Sequence, residues 1–293
     1  MTFGTFIEPD LSLRDSEDPA AQLDIQVYSG YQARGAYDHF LRENSIFDNI
    51  AQRILSADLR YEDQCSARYY YDLVRVLRDF NGHFDRLVEV GVFMGGSSSI
   101  FAGCIEKFDF DLDMVDINPK YLQFAYERIR RTFPEATGRV RLFHGDIASY
   151  VRHVMLETQG VRHILHHDGA HKFNQVVKDM AALYYARDRI YAIIAQDTHL
   201  RGTIEKMNFV DMALYAVFGT DLKYAPIGES YAADTEMSRP NIYQGNYFVP
   251  GAAEGFVLPM AANRFVYPHP ALRMDDFLPP ARAETRQREY EAA

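Results

Sequence analysis

Between Phe84 and Val217, short apolar runs alternate with longer helical stretches, and no other feature of this 293-residue chain restricts its fold so strongly. The strand candidates are residues 86–91, 113–117, 140–145, 163–168 and 191–197. The helix candidates are 98–107, 119–132, 147–157, 173–186 and 203–217. Parallel strands need a crossover of a dozen or more residues, so this alternation predicts one parallel sheet with helices on both faces. Near-continuous apolar strands such as Ala192-Ile-Ile-Ala195 agree with a sheet covered on both sides. Two further strand candidates, 222–226 and 242–249, flank a polar stretch, 228–241, long enough to be a functional loop.

The two ends are less regular. Residues 1–30 hold Pro9 and Pro19 and are expected to form an extended arm or irregular cap. Residues 32–80 read as helical through Tyr37, Phe40, Leu41, Ile46, Ile50, Ile54 and Leu55, then 69–76. The run Tyr69-Tyr-Tyr71 reads first as a packed helix face, with an aromatic wall over a ligand as the alternative. After Pro250 come Pro259, Pro268, Pro270, Pro279 and Pro280, which resist regular structure. The expected organisation is one compact domain. It comprises an arm and helical cap over 1–82, a core over 83–250 and a tail over 251–293.

Composition narrows the partners. Charged residues are 25% and hydrophobic residues 47% of the chain, the balance of a soluble globular protein. The net charge of −10 repels phosphate backbones, so nucleic acid is not an expected partner. The basic run Arg128-Ile-Arg-Arg131 reads as a solvated helix end. Cys65 and Cys104 lack metal-site spacing and are expected to stay reduced. No apolar run is long enough to span a bilayer, which leaves no membrane partner. Acids at Glu8, Asp10, Asp15, Glu17 and Asp18 are wrong for a signal peptide, so the expected compartment is the cytoplasm. A small-molecule substrate and a homo-oligomer complete the expectations.

The first core strand runs into Glu89-Val-Gly-Val-Phe-Met-Gly95-Gly-Ser97. A strand, a tight glycine turn and a helix N-terminus let backbone N–H groups approach a ligand. The dinucleotide fingerprint fails, because Phe93 stands where its middle glycine must admit a pyrophosphate. The phosphate-loop pattern fails too, since no Gly-Lys-Ser/Thr follows. The spacing Glu89-x-Gly91-x-x-x-Gly95 instead resembles motif I of the class I S-adenosylmethionine-dependent methyltransferases. The resemblance implies an α/β, doubly wound, Rossmann-like fold with a seven-stranded mixed sheet, here with an N-terminal helical cap and an irregular C-terminal tail. It implies S-adenosylmethionine as cofactor, bound by Glu89, Gly91, Gly95 and Ser97 of the turn. Asp116, 27 residues after Glu89, would accept from both ribose hydroxyls. Asp146 would accept from the adenine amino group, and Asp168 would lie beside the donor's sulfonium. On their own residues, Asp116 and Asp146 are equally placed to cap the helices that follow.

The next two strand ends read His163-Ile-Leu-His-His-Asp168-Gly-Ala-His171 and Ile193-Ile-Ala-Gln196-Asp197-Thr-His199. Ligands of open α/β sheets bind at the carboxyl ends of strands, and the methyltransferase order makes these two strands neighbours. Paired oxygen ligands suit a hard cation such as Mg²⁺, which would acidify and orient a substrate hydroxyl. His171, three residues after Asp168, is placed as general base. The constellation resembles the metal-dependent O-methyltransferases of natural products, in particular the group of mycinamicin-type sugar O-methyltransferases and cephalosporin-hydroxylase-like proteins. The resemblance spans residues 87–203. It implies His171 and Asp168 as catalytic residues, and Asp168, Gln196 and Asp197 as metal ligands. Gln196 departs from the group, which has a carboxylate there, so weaker metal binding is expected. His166 and His167 read as hydrogen-bonded residues alternating across a buried strand, while His199 stays open between site and surface. Capping is the alternative for Asp168 and Asp197. The expected function is O-methylation of a small-molecule hydroxyl, on a sugar or other natural product. A metal-independent O- or N-methyltransferase and a non-catalytic S-adenosylmethionine-binding scaffold are the alternatives.

Overall fold

The computed structural model describes residues 2–27, 45–202, 208–239 and 245–266. The predicted helix face at Tyr37, Phe40 and Leu41, the first residues of the predicted helix 203–217, residues 240–244 and the tail from Pro268 onward lie outside them.

The chain begins with β1 (Thr5–Ile7) and a one-turn helix, α1 (Pro19–Gln22), capped by the Asp18 carboxylate on the Ala21 N–H at 3.1 Å. In α2 (Ser45–Ser56) the buried residues Phe47, Ile50, Ala51 and Ile54 recur at three- and four-residue spacing, one face of a helix. In α3 (Ala67–Asp79) burial extends round the first two turns, because this helix lies between the sheet and α2. Then comes the predicted alternation: β2 (Arg86–Val90), α4 (Gly96–Phe108), β3 (Asp111–Asp116), α5 (Pro119–Thr132), β4 (Val140–His144), α6 (Ile147–Tyr150), β5 (His163–His167), α7 (Phe173–Leu183) and β6 (Ile190–Gln196). Asn118 starts α5 by accepting from the Lys120 N–H at 3.1 Å, with Pro119 in the first turn where its missing N–H costs nothing. The chain continues with β7 (Leu200–Arg201), α8 (Val210–Phe218), β8 (Ala225–Ile227), β9 (Tyr247–Phe248) and β10 (Gly255–Pro259).

Eight strands form one sheet in the order β1-β4-β3-β2-β5-β6-β10-β8. The five from β4 to β6 are parallel, while β1, β10 and β8 run antiparallel to their neighbours. This is the Rossmann-like mixed sheet expected, with one strand more. The N-terminal arm supplies it as β1, which pairs Thr5 to Ile7 with His144 to Leu142.

Two expectations are corrected here. The described part of the candidate strand 242–249, from residue 245, does not enter the sheet, because β9 pairs with β7 in a separate two-stranded ribbon. The strand beside β6 is β10, from the segment expected to be irregular tail, so the core runs past residue 250. Phe256, Val257 and Leu258 are buried between β6 and β8, and Pro259 ends the strand rather than interrupting it.

Side-chain alternation along the strands divides the core into two layers. Leu87, Leu112, Leu142, Ile164 and Ile194 pack with α2, α3, α4 and α5 on one face. Val88, Val115, Phe143, Leu165 and Ile193 pack with α7 and α8 on the other. The same alternation sends Glu89, His166 and Gln196 toward α3 and α4. Among the described residues no helix is long and apolar enough to cross a membrane.

The basic run on α5 is not a solvated helix end. Arg128 is 1% exposed; its guanidinium donates to both Asp63 oxygens, at 2.9 and 3.2 Å, and to the Met94 carbonyl at 3.0 Å. It also lies 3.7 Å from the centre of the Tyr61 ring. Arg131 donates to the Leu13 and Ser16 carbonyls, and Arg130 to that of Arg14. These arginines tie the N-terminal segments to the core, a role that local sequence cannot reveal because Asp63, Leu13, Arg14 and Ser16 all lie more than sixty residues away. Arg128→Ala leaves the Asp63 carboxylate buried without its counter-charge, and urea unfolding should record a loss of about 3–5 kcal/mol.

Candidate active site

The parallel register brings the carboxyl ends of β2, β3, β4, β5 and β6 to one edge of the sheet. Gly91 sets the spacing there. Its φ is +82°, its N–H donates to the Val115 carbonyl at 2.9 Å, and the Asp168 N–H donates to the Val90 carbonyl at 2.8 Å. A Cβ at Gly91 would collide with the Asp168 carbonyl, so only glycine lets β2 and β5 end side by side. Gly95, at φ +71°, turns the chain into α4, and a Cβ there would meet Ala125 of α5 at 2.8 Å. The α4 N-terminus has no side-chain cap and no acid in its first turn. The positive end of that helix therefore faces the site without a competing carboxylate at the cap position.

Asp116 ends β3 and is 8% exposed. Its two oxygens accept from the Val92 and Asn118 N–H groups, each at 2.8 Å, which fixes the carboxylate beside the glycine turn. Burial raises its pKa, against the pull of those N–H bonds. Each carboxylate oxygen has two lone pairs, so the group keeps acceptor capacity for a vicinal diol. Asp146 caps α6 through Oδ1, which accepts from the Ser149 N–H at 2.8 Å, the alternative its sequence position left open. Glu89 is wholly buried and accepts from the Ser97 and Ser98 hydroxyls in the first turn of α4. Glu89 and Ser97 thus bind each other beneath the turn.

The fourth and fifth strand ends converge. His171 Nε2 lies 3.0 Å from Asp197 Oδ2 and 3.5 Å from Asp168 Oδ1. All three side chains are partly exposed, at 29%, 16% and 21% respectively. Asp197 adopts the left-handed conformation, φ +57°, tolerated by aspartate and frequent where a site bends the backbone to aim a side chain. Burial pushes Asp168 up to about 6, aided by the Asp197 charge and opposed by the His171 hydrogen bond. Burial works against the charged form of His171, but Asp197 and Asp168 outweigh it and raise the imidazole to about 9.

Asp168, His171 and Asp197 offer ligand atoms within 4.8 Å of one another, the one such group of acid, histidine or cysteine side chains among the described residues. The trio expected from sequence is altered. Gln196 points to the α3 face, where its amide nitrogen donates to Cys65 Sγ at 2.9 Å and its Oε1 is buried without a hydrogen-bond partner. His171 stands in the cluster in its place. Two carboxylate oxygens and an imidazole fit a divalent cation, and the nitrogen donor admits Mn²⁺, Fe²⁺ or Zn²⁺ as readily as Mg²⁺.

The strand histidines behave as their alternation predicts. His166 meets the Tyr69 hydroxyl at 3.0 Å, and His167 meets Asp179 at 2.9 Å. His199 is not at the surface. It is 2% exposed, lies parallel to Phe248 with ring centroids 4.0 Å apart, and is pushed down to about 4 by burial. Sequence reasoning missed Glu254, just before β10. It is buried, accepts from the Ser66 N–H and hydroxyl and from the Glu229 N–H, and is raised to about 7 by burial. No local signal marks it, since its partners lie on α3 and on the loop after β8.

Residues 88–194 match the sequence profile described as Methyltransferase domain. No curated protein matches the chain. Among solved structures it is similar to the O-methyltransferase TomG of Streptomyces achromogenes, described as involved in tomaymycin synthesis and solved with S-adenosylmethionine. The two are 15% identical, with 78% of this chain and 95% of that one covered, at a TM-score of 0.47. An O-methyltransferase of Bacillus cereus, solved with S-adenosylhomocysteine, is 14% identical over 77% of this chain and 94% of that one, at a TM-score of 0.46. TrmK of M. capricolum, also with S-adenosylhomocysteine, is 11% identical over 65% and 69%, at a TM-score of 0.40. The sheet is the Rossmann-like mixed sheet of the class I methyltransferase fold, and the profile match lies at its centre, from β2 into β6.

Burial of Glu89 has a consequence for stability. Its pKa is raised from 4.5 to about 8, chiefly by desolvation and against the two serine hydrogen bonds. The unfolded chain releases this proton near 4.5 and the folded chain near 8, so its contribution is full below the first value and is lost as pH rises toward the second. Chemical denaturation of Glu89→Gln against pH should show a flatter profile across that window than the parent protein; parallel profiles would refute the buried, protonated state.

Proposed function

We propose that this chain is an S-adenosylmethionine-dependent methyltransferase that acts on a hydroxyl oxygen of a small molecule, a sugar or a vicinal diol, with His171 receiving the hydroxyl proton. The observation that carries this reading is the clasp on His171, with Asp197 at 3.0 Å and Asp168 at 3.5 Å, at the ends of adjacent strands and partly open to solvent. An alcohol is a weak nucleophile until its proton leaves, and the bound S-adenosylmethionine supplies the electrophilic methyl group. With the donor bound, the imidazole would take the hydroxyl proton as the oxygen–methyl bond forms and the methyl–sulfur bond breaks to leave S-adenosylhomocysteine, and the two carboxylates would stabilise the resulting imidazolium. Asp116, its carboxylate oriented by two backbone N–H groups, holds the ribose. The adenine side falls to Asp146, whose Oδ1 already caps α6.

A divalent cation would be held by Asp168 and Asp197, and there it would lower the pKa of the hydroxyl. A metal-free reading is supported by a specific observation: the amide nitrogen of Gln196 is committed to Cys65, while both carboxylates already reach His171.

His171→Ala should lower kcat by about 10²–10⁴ while leaving S-adenosylhomocysteine affinity, measured by calorimetry, nearly unchanged. Loss of cofactor binding instead would remove His171 from the proton-transfer role. In protein stripped of metal by chelation, kcat should rise with pH to about 9, because the base form of His171 predominates only above that value. Added Mg²⁺ or Mn²⁺ should move that limb to lower pH if Asp168 and Asp197 take the ion, and an unmoved limb would exclude it.

A further inference from the structure

A buried path of side chains crosses the α3 and α4 face of the sheet and takes no part in the chemistry above. The Tyr69 hydroxyl lies 3.0 Å from His166 Nε2. His166 Nδ1 faces Glu89 Oε1 at 3.8 Å and has no hydrogen-bond partner among the described residues. Glu89 accepts from Ser97 and, at 2.5 Å, from Ser98. Tyr69, His166, Glu89 and Ser98 are 0% exposed, and the Phe101 edge closes on the imidazole with centroids 5.0 Å apart.

The path has one open contact. Burial keeps the His166 imidazole neutral, so one ring nitrogen donates and the other accepts. A tyrosine hydroxyl donating to Nε2 leaves the proton on Nδ1, aimed at Glu89. At 3.8 Å that contact is too long for a hydrogen bond, and a buried donor and acceptor held just apart are costly. A shift of about 0.8 Å closes the chain.

The two ends of the path give it meaning. Ser97 and Ser98 belong to the first turn of α4, beside the glycine turn. At the other end, the Tyr69 ring supports the loop after β8 and the start of β10. A Cβ at Gly228 would come within 3.0 Å of the ring, and one at Gly255 within 2.7 Å. The Gly228 N–H donates to Asp72, one turn along α3, at 3.1 Å, and the Glu229 N–H donates to Glu254 at 2.9 Å.

We propose that Tyr69, His166 and Glu89 couple the donor side of the site to the 225–231 segment: seating of the donor at the α4 N-terminus closes His166 onto Glu89 and tightens Tyr69 against Gly228. The inference rests on the donor reading above. The three are positioning residues, none touching the reacting atoms.

Hydrogen exchange of the full chain, with and without S-adenosylhomocysteine, tests it. In the parent protein the ligand should slow exchange at residues 91–98 and also at Gly228 and Glu229, by roughly fivefold or more. Tyr69→Phe removes one hydroxyl; it should still bind the ligand and protect 91–98, but lose the protection at 228 and 229. Equal protection in parent and variant, or none at 228–229 in ligand-bound parent, overturns the coupling. Failure of the parent to bind S-adenosylhomocysteine overturns the donor reading and the coupling with it. Nitrogen-15 spectra of the unmodified protein give a second measurement that needs no variant. The Nδ1 resonance of His166 should shift on ligand addition, and an unchanged resonance in the ligand-bound protein also refutes the proposal.

Discussion

The side-by-side ending of β2 and β5 at Gly91 is the constraint on which the rest of the site depends. The Val90 carbonyl and the Asp168 N–H bond each other across it at 2.8 Å, and the missing Cβ of Gly91 leaves room for the Asp168 carbonyl. With those ends locked, the next strands inward and outward deliver Asp116 and Asp197 to the same edge. The glycine turn then runs directly into α4, whose first turn is bound from below by Glu89. One side chain at residue 91 would separate the two halves of the site.

A second constraint comes from the N-terminal cap. The first turns of α3 and the residues before it bond to four distant segments: Asp63 to α5, Cys65 to β6, Ser66 to Glu254 before β10, and Tyr69 to β5. The Arg128–Asp63 pair is buried on both sides, at 1% and 0% side-chain exposure. Desolvating two ions costs several kcal/mol each, so such a pair adds little net stability. Its geometry does matter, because the same guanidinium also holds the Met94 carbonyl inside the glycine turn. The cap is therefore part of the wall around the glycine turn, not an appendage to the sheet.

Charge is arranged unevenly across this wall. Asp168, Asp197, Glu254 and Glu89 all lie within the strand-end region, and burial raises the pKa of Asp168, Glu254 and Glu89. Glu254 and Glu89 are satisfied by hydroxyls and N–H groups, which suits acids kept from solvent. Asp168 and Asp197 instead turn to His171 and remain partly exposed. That difference separates acids that hold the architecture from acids available to a ligand.

The parallel core, the glycine turn and the acids at the strand ends were determined by the sequence itself, because strand and helix period, turn chemistry and spacing are local properties. The alternation at His166 and His167 was legible for the same reason. Which residue joined Asp168 and Asp197 was not. Gln196 and Asp197 are adjacent in sequence, yet the left-handed backbone at Asp197 and the position of Cys65 send one to His171 and the other to α3. The tertiary structure alone decided that the basic run on α5 is buried against Asp63, that Glu254 anchors α3, and that β10 rather than 242–249 lies beside β6. Each of these depends on a partner far away in the chain, and local pattern carries no information about what the opposite face will meet.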